Sequence, residues 1–156
     1  MVTRTVLLAF SAALALALTS QIWPALSQSM TKPHHDMPDA SKGKQGITHK
    51  ALLRTDLADT NAQEVIVWDT EYAPRAINPR HYHPAAITFH ILTGSAIFQE
   101  EGKEPVRLKP GDSLFVSAGT THAHWNPSHT DKLRFLEFIV GPKDNARPIP
   151  RPPQSN

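Results

Sequence analysis

The sequence predicts an all-β fold, a sandwich or barrel of short strands forming a single domain. Three observations carry that expectation. Apolar, β-branched and aromatic runs such as "EVIVWDTEY", "ITFHILTG" and "KLRFLEFIV" recur at short intervals, with turn-forming residues between them. No stretch sustains the spacing of apolar residues that an amphipathic helix requires. The 14 prolines also oppose helices, because each lacks a backbone donor and clashes with the preceding turn. A length of 156 residues suits one domain with one core.

Taken in order, residues 1–27 read as a targeting segment. "MVTR" gives a positive start, "VLLAFSAALALAL" an apolar core short for a bilayer span, and Ala25-Leu26-Ser27 a small-x-small site. A secretory signal peptide cleaved after Ser27 is expected, with a secreted or periplasmic product; an uncleaved anchor is the weaker alternative. Residues 28–46 are polar and rich in Pro, Gly, Ser and Lys, and read as a disordered leader in which His34 and His35 are solvated. The domain is expected over residues 47–142. "EVIVWDTEY" is its first clear strand, closing at "APRAINPR", with a turn available at Asn78-Pro79. "ITFHILTG" and "SAIFQEEG" flank Gly94 as a hairpin or strand corner. "PVRLKPGDSLFVSAGTTHAHW" holds two strand-like runs around Pro110-Gly111, and "KLRFLEFIV" is the last and most apolar strand. Residues 143–156 are proline-rich and are expected to form an extended, disordered tail outside the core.

Composition narrows the function classes. Lys plus Arg number 16 and Asp plus Glu 14, a formal charge of +2. That balance argues against nucleic acid or an anionic membrane as partner. The absence of cysteine excludes disulfides and thiolate metal sites. Nine histidines are the compositional oddity. In "RHYHPAAITFHILTG", His81 and His83 stand at i and i+2, which places them on one face of an extended segment. Pro84 disfavours the helical region for His83 and so supports extension. "TTHAHW" repeats the spacing with His122 and His124. Two His-x-His pairs in a β protein point to one shared metal ion; the competing reading is a solvated strand face near a turn.

From His81 to Asn126 the chain resembles the cupin superfamily, as a small single-domain, type 2-like member. The first cupin motif is Gly-x5-His-x-His-x3–4-Glu-x6-Gly, matched here by His81, His83 and Gly94. The second is Gly-x5-Pro-x-Gly-x2-His-x3-Asn, matched by Gly111, Gly119, His122 and Asn126, with Ser117 in place of the proline. The resemblance implies a double-stranded β-helix, a jelly-roll barrel, and carries over three metal ligands: His81, His83 and His122. It implies a divalent ion (Fe, Zn, Ni, Mn or Cu), a small-molecule ligand, and pairing into homodimers through the sheets. Two departures stand out. Arg75 falls where the first motif opens with glycine, and Ile87 or Thr88 falls where it places a glutamate.

Other side chains are candidates around such a site. If Ile87 holds the inward place of the missing carboxylate, His90 faces out; if Thr88 does, His90 lines the cavity. His124 shares a face with His122 and is a further candidate ligand. Along "LRFLEFIV", Leu133, Phe135, Glu137 and Ile139 share one face, and Arg134, Leu136, Phe138 and Val140 the other. Glu137 is favoured as an exposed acid paired with a surface cation; turned inward, it becomes a candidate general base or an orienter of a ligand histidine. Asn126 is expected to secure a turn. A three-histidine site leaves the ion's charge unneutralised, so it favours anionic ligands and keeps positions open. The expected function is oxidative or isomerising, dioxygenase-like chemistry on a small anionic molecule, with a non-catalytic ligand-binding module as the alternative.

Overall fold

The computed structural model describes residues 45–144 and 147–151. Its ten strands are β1 (Ile47–Asp56), β2 (Gln63–Tyr72), β3 (Ile77–Tyr82), β4 (Ala86–Thr93), β5 (Ala96–Glu100), β6 (Val106–Leu108), β7 (Ser113–Val116), β8 (His122–Trp125), β9 (Leu133–Pro142) and β10 (Ile149–Pro150). They form two five-stranded antiparallel sheets, ordered β1-β2-β9-β4-β7 and β10-β3-β8-β5-β6. There is no helix among the described residues, and the all-β jelly-roll expectation holds.

Strand alternation builds the core. On β4, Ile87, Phe89 and Ile91 are buried; on β9, Leu133, Phe135 and Ile139 are buried while Arg134, Phe138 and Val140 are exposed. These rows meet Phe98 of β5 and Ile66 and Tyr72 of β2 between the two sheets. Each such large apolar side chain contributes roughly 1.5–3 kcal/mol when fully buried. The β4–β5 corner turns at Gly94, whose φ is +77°, and a Cβ built there would lie 2.4 Å from the Lys132 carbonyl oxygen. Only glycine satisfies both the torsion and the close approach. On the outer face Arg134 clamps Asp69 through two bonds of 2.8 and 2.5 Å, and this pairing holds the Asp69 carboxyl below its ordinary pKa.

Three local features depart from expectation. β1 lacks the alternation of a half-buried strand because nine of its ten residues are exposed, Leu52 and Leu53 among them; it is held by its ladder to β2. The segment expected to turn at Asn78-Pro79 lies inside β3. Pairing with β8 jumps from Asn78↔His124 to His81↔His122, so one extra residue is accommodated as a bulge. Pro79, which cannot donate to a ladder, sits at that irregularity. The third departure is the tail: its residues 149 and 150 pair with Tyr82 and His81, Arg151 N–H donates to the Arg80 carbonyl at 3.1 Å, and the Arg151 guanidinium lies 4.7 Å from the Tyr82 ring centroid. Prolines are tolerated there because β10 is an edge strand.

The expected signal segment, the leader apart from Gln45 and Gly46, and residues 152–156 of the tail lie outside the described residues. Among the described residues no helix is long and apolar enough to cross a membrane.

Candidate metal centre

His81 comes from the end of β3, His83 from the residue after it but one, and His122 from the start of β8. All three are buried, and one ligand atom of each lies within 4.8 Å of the others. Their ring centroids are separated by 5.0 Å (81–83), 4.3 Å (81–122) and 5.6 Å (83–122). The β3–β8 ladder sets His81 directly opposite His122. The turn at Gly119 is tied back to the same place, since its N–H donates to the His83 carbonyl at 2.7 Å.

Two of the rings are oriented by the same local device. His81 Nδ1–H donates to the Pro79 carbonyl at 2.6 Å, and His122 Nδ1–H donates to the Thr120 carbonyl at 2.8 Å. In both, the partner is the residue two positions earlier. Fixing the proton on Nδ1 leaves the Nε2 lone pair free to bind a metal ion. His122 Nε2 is buried and has no hydrogen-bond partner among the described residues. An orphaned buried nitrogen costs about 1–3 kcal/mol, and a metal ion satisfies it. Burial also lowers the His122 pKa, against smaller raising effects of the Thr120 carbonyl and Glu100, so the ring is neutral near neutral pH. Neutral imidazole is the ligating form. The donor set therefore fits a borderline divalent ion.

The remaining candidates separate cleanly. His90 does not join the cluster: Ile87 holds the inward place on β4, His90 faces away, and its Nδ1 sits 2.9 Å from Ser113 Oγ. His124 is buried beside the triad, 5.5 Å from His81 by ring centroids, but lies outside the group of three close ligand atoms. Its Nδ1 meets the Tyr72 hydroxyl at 3.1 Å and its Nε2 meets the Asn78 amide at 3.3 Å. Glu137 is a buried acid, not an exposed one paired with a surface cation. It is 4% exposed, on the inward face of β9, with Trp68 and Phe89 beside it in the ladders. Burial, and then the negative charge of Glu137, hold the Tyr72 hydroxyl well above its ordinary pKa. Asn126 secures the turn as expected: its amide donates to the carbonyls of Tyr72, Ala73 and Asp131, and its oxygen accepts from Ser128 N–H. Arg75 takes φ +63°, the left-handed torsion usual for the glycine that the first motif would place there.

A cavity of about 310 Å³ opens beside the triad. His83, His124, Asn78 and Glu137 give it polar walls, Trp68 and Phe89 apolar ones, and Arg147 and Pro148 from the tail line it as well. Asn78 and Arg147 are contributions that the pattern of residues did not reveal. Asn78 was hidden by the bulge, which brings it onto the face of His81 although the two are three residues apart. Arg147 depends on the pairing of the tail with β3.

The comparisons agree with the fold. Residues 68–139 match the family model described as "Cupin domain". A stretch of 45 residues is 49% identical to dimethylsulfoniopropionate lyase DddQ of Ruegeria pomeroyi, covering 29% of this chain and 22% of that protein. The crystal structure of the same lyase superposes with a TM-score of 0.59 at 23% identity, over 77% of this chain and 59% of the other. The polyketide cyclase RemF of Streptomyces resistomycificus gives 0.54 at 21% identity over 72% and 74%. KdgF from Halomonas sp. gives 0.52 at 20% identity over 70% and 89%. The chain thus spans less than two thirds of the lyase, and the structural likenesses speak to the fold alone.

Proposed function

Because the chain belongs to the cupin superfamily, we propose that it is a metal-dependent enzyme acting on a small organic carboxylate, with lyase-type chemistry as the best-supported reaction. The observation that carries this reading is a cavity lined both by His83, one of the three clustered histidines, and by the buried acid Glu137. The short stretch shared with a protein named as a dimethylsulfoniopropionate lyase supports the reaction class. His81, His83 and His122 would hold a divalent ion, which would supply Lewis acidity beside the cavity that His83 lines.

The chain's own residues do the rest. Arg147 offers a cation to the substrate's carboxylate. Trp68, Phe89 and Pro148 exclude water around the reacting carbons. The Glu137 carboxylate takes the proton from the carbon next to the substrate's carboxylate. The electrons of that C–H bond form the carbon–carbon double bond, and the leaving group departs with the electrons of its own bond. Applied to dimethylsulfoniopropionate, that elimination yields dimethyl sulfide and acrylate. Export with cleavage after Ser27, and pairing into a homodimer, belong to the same proposal. The outer face of the β1-β2-β9-β4-β7 sheet aligns Leu53, Val67, Phe138, Thr88 and Phe115 in register across it, and Leu53, Phe138 and Phe115 are exposed. N-terminal sequencing of the exported protein and light scattering test these two points.

The deciding experiment incubates metal-loaded protein with dimethylsulfoniopropionate and with a panel of β-substituted carboxylates, following acrylate and other unsaturated acids by NMR. Chelator-sensitive elimination is the expected result. Oxygen consumption without elimination would return the protein to dioxygenase chemistry. Saturable binding without turnover would make it a ligand-binding module.

A further inference from the structure

The expected glutamate is absent: Ile87 stands in its place on β4 and cannot ligate. A polar group reaches the same centre from another strand. The bulge in β3 carries Asn78 onto the inward face, where it is 5% exposed and lines the cavity beside His83. Its amide nitrogen lies 3.5 Å from His81 Nε2, the nitrogen left open for a metal. Two neighbouring donors at about 2.1 Å from one ion stand about 3.0–3.4 Å apart, from octahedral to tetrahedral angles, and the wider shell leaves positions open beyond four protein ligands. The Asn78 amide is therefore at ligand distance from a ligand atom. Its other terminal atom, Oδ1, is buried with no hydrogen-bond partner among the described residues.

We propose that Asn78 Oδ1 is the fourth protein ligand of the metal centre, supplied from β3 in place of the carboxylate that β4 lacks. The proposal rests on the metal reading above. Without metal, the amide NH2 donates to the lone pair on His81 Nε2. Metal binding takes that lone pair, so the NH2 loses its acceptor there. Turning the amide by 180° exchanges oxygen and nitrogen at nearly unchanged positions, so the acceptor that lacked a partner comes to the His81 and His124 contacts and the NH2 takes the place Oδ1 held. The oxygen then faces the ion. It also accepts from His124 Nε2–H when the Tyr72 hydroxyl donates to His124 Nδ1, so the bonds Tyr72–His124–Asn78 hold the ligand in place. All four protein ligands are then neutral. The ion keeps its full charge, which suits an anionic substrate better than the usual carboxylate-bearing set would.

The test uses untagged wild type, Asn78→Ala and Asn78→Asp, each stripped and titrated with Co(II) alone. Affinity is read by competition with a chromophoric chelator and coordination by the visible Co(II) spectrum; thermal unfolding of the stripped proteins controls for folding. Asn78→Ala should lose about 10–100-fold in affinity and change the spectrum. Asn78→Asp, which restores an oxygen with a charge, should bind at least as tightly as wild type. Equal affinity and an unchanged spectrum in Asn78→Ala would overturn the assignment while leaving the histidine site intact. No Co(II) binding by the wild type would overturn the metal reading and this assignment with it.

Discussion

Replacing Gly94 by alanine isolates the cost of one backbone contact that shapes the barrel. Gly94 and Gly102 have nearly the same torsion, φ +77° and +75°. A Cβ at Gly102 meets nothing within 4 Å, whereas one at Gly94 lies 2.4 Å from Lys132 O and 2.9 Å from Leu133 Cα. Both variants bear the left-handed penalty of a side chain, about 1–2 kcal/mol. Gly94→Ala must in addition push two backbone segments apart by nearly an ångström, and no rotamer relieves it. Overpacking of this kind costs roughly 1–3 kcal/mol more. Leu133, at 0% exposure, begins the strand that carries Glu137, so the displacement enters the core. Urea unfolding of both variants, compared at unchanged m-value, should place Gly94→Ala about 1–3 kcal/mol below Gly102→Ala. Equal stabilities within about 0.5 kcal/mol would refute the close-approach argument.

Other perturbations follow from the site. Glu137→Gln should lower turnover about 10²–10⁴-fold, the range for a lost general base, with metal content unchanged in elemental analysis. His90→Ala should leave metal affinity unchanged and alter stability by no more than about 0.5 kcal/mol, since its ring faces Ser113 on the outer side of the sheet. In chelated protein, His122 binds its proton more weakly when folded than its ordinary value of 6.5. Below pH 6.5 the unfolded chain therefore takes up protons first and stability falls, with a slope approaching about 1.4 kcal/mol per pH unit. Above 6.5 this residue adds no pH dependence. Replacing His122 by Gln should flatten that acid limb in pH-dependent urea titrations; an unchanged limb would assign it to other groups.

How far the molecule could be read from its residues depends on how regular each strand is. The i, i+2 spacing marked two histidine pairs, and the resemblance to the cupin motifs singled out His81, His83 and His122 from them; spacing alone gave His124 equal standing with His122. Glu137 was placed on a face correctly, but the inward face was not identifiable. Leu133, Phe135 and Ile139 on one side and Leu136, Phe138 and Val140 on the other are both apolar, and burial alone separates them. The same ambiguity held for His90 until Ile87 was seen to be internal. Asn78 was invisible because a bulge breaks the alternation that would set it opposite His81. β1 was obscure because its residues are nearly all exposed, and β10 because a two-residue edge pairing leaves no periodic trace.

The most direct measurement is the metal content of untagged protein, stripped, reconstituted with a single divalent ion and dialysed, beside a His81→Ala/His122→Ala double variant. Wild type should retain about one ion per chain, as three converging imidazoles demand, and the double variant less than about a tenth of that. Wild-type content below that tenth, or equal content in both proteins, would contradict the three-histidine centre.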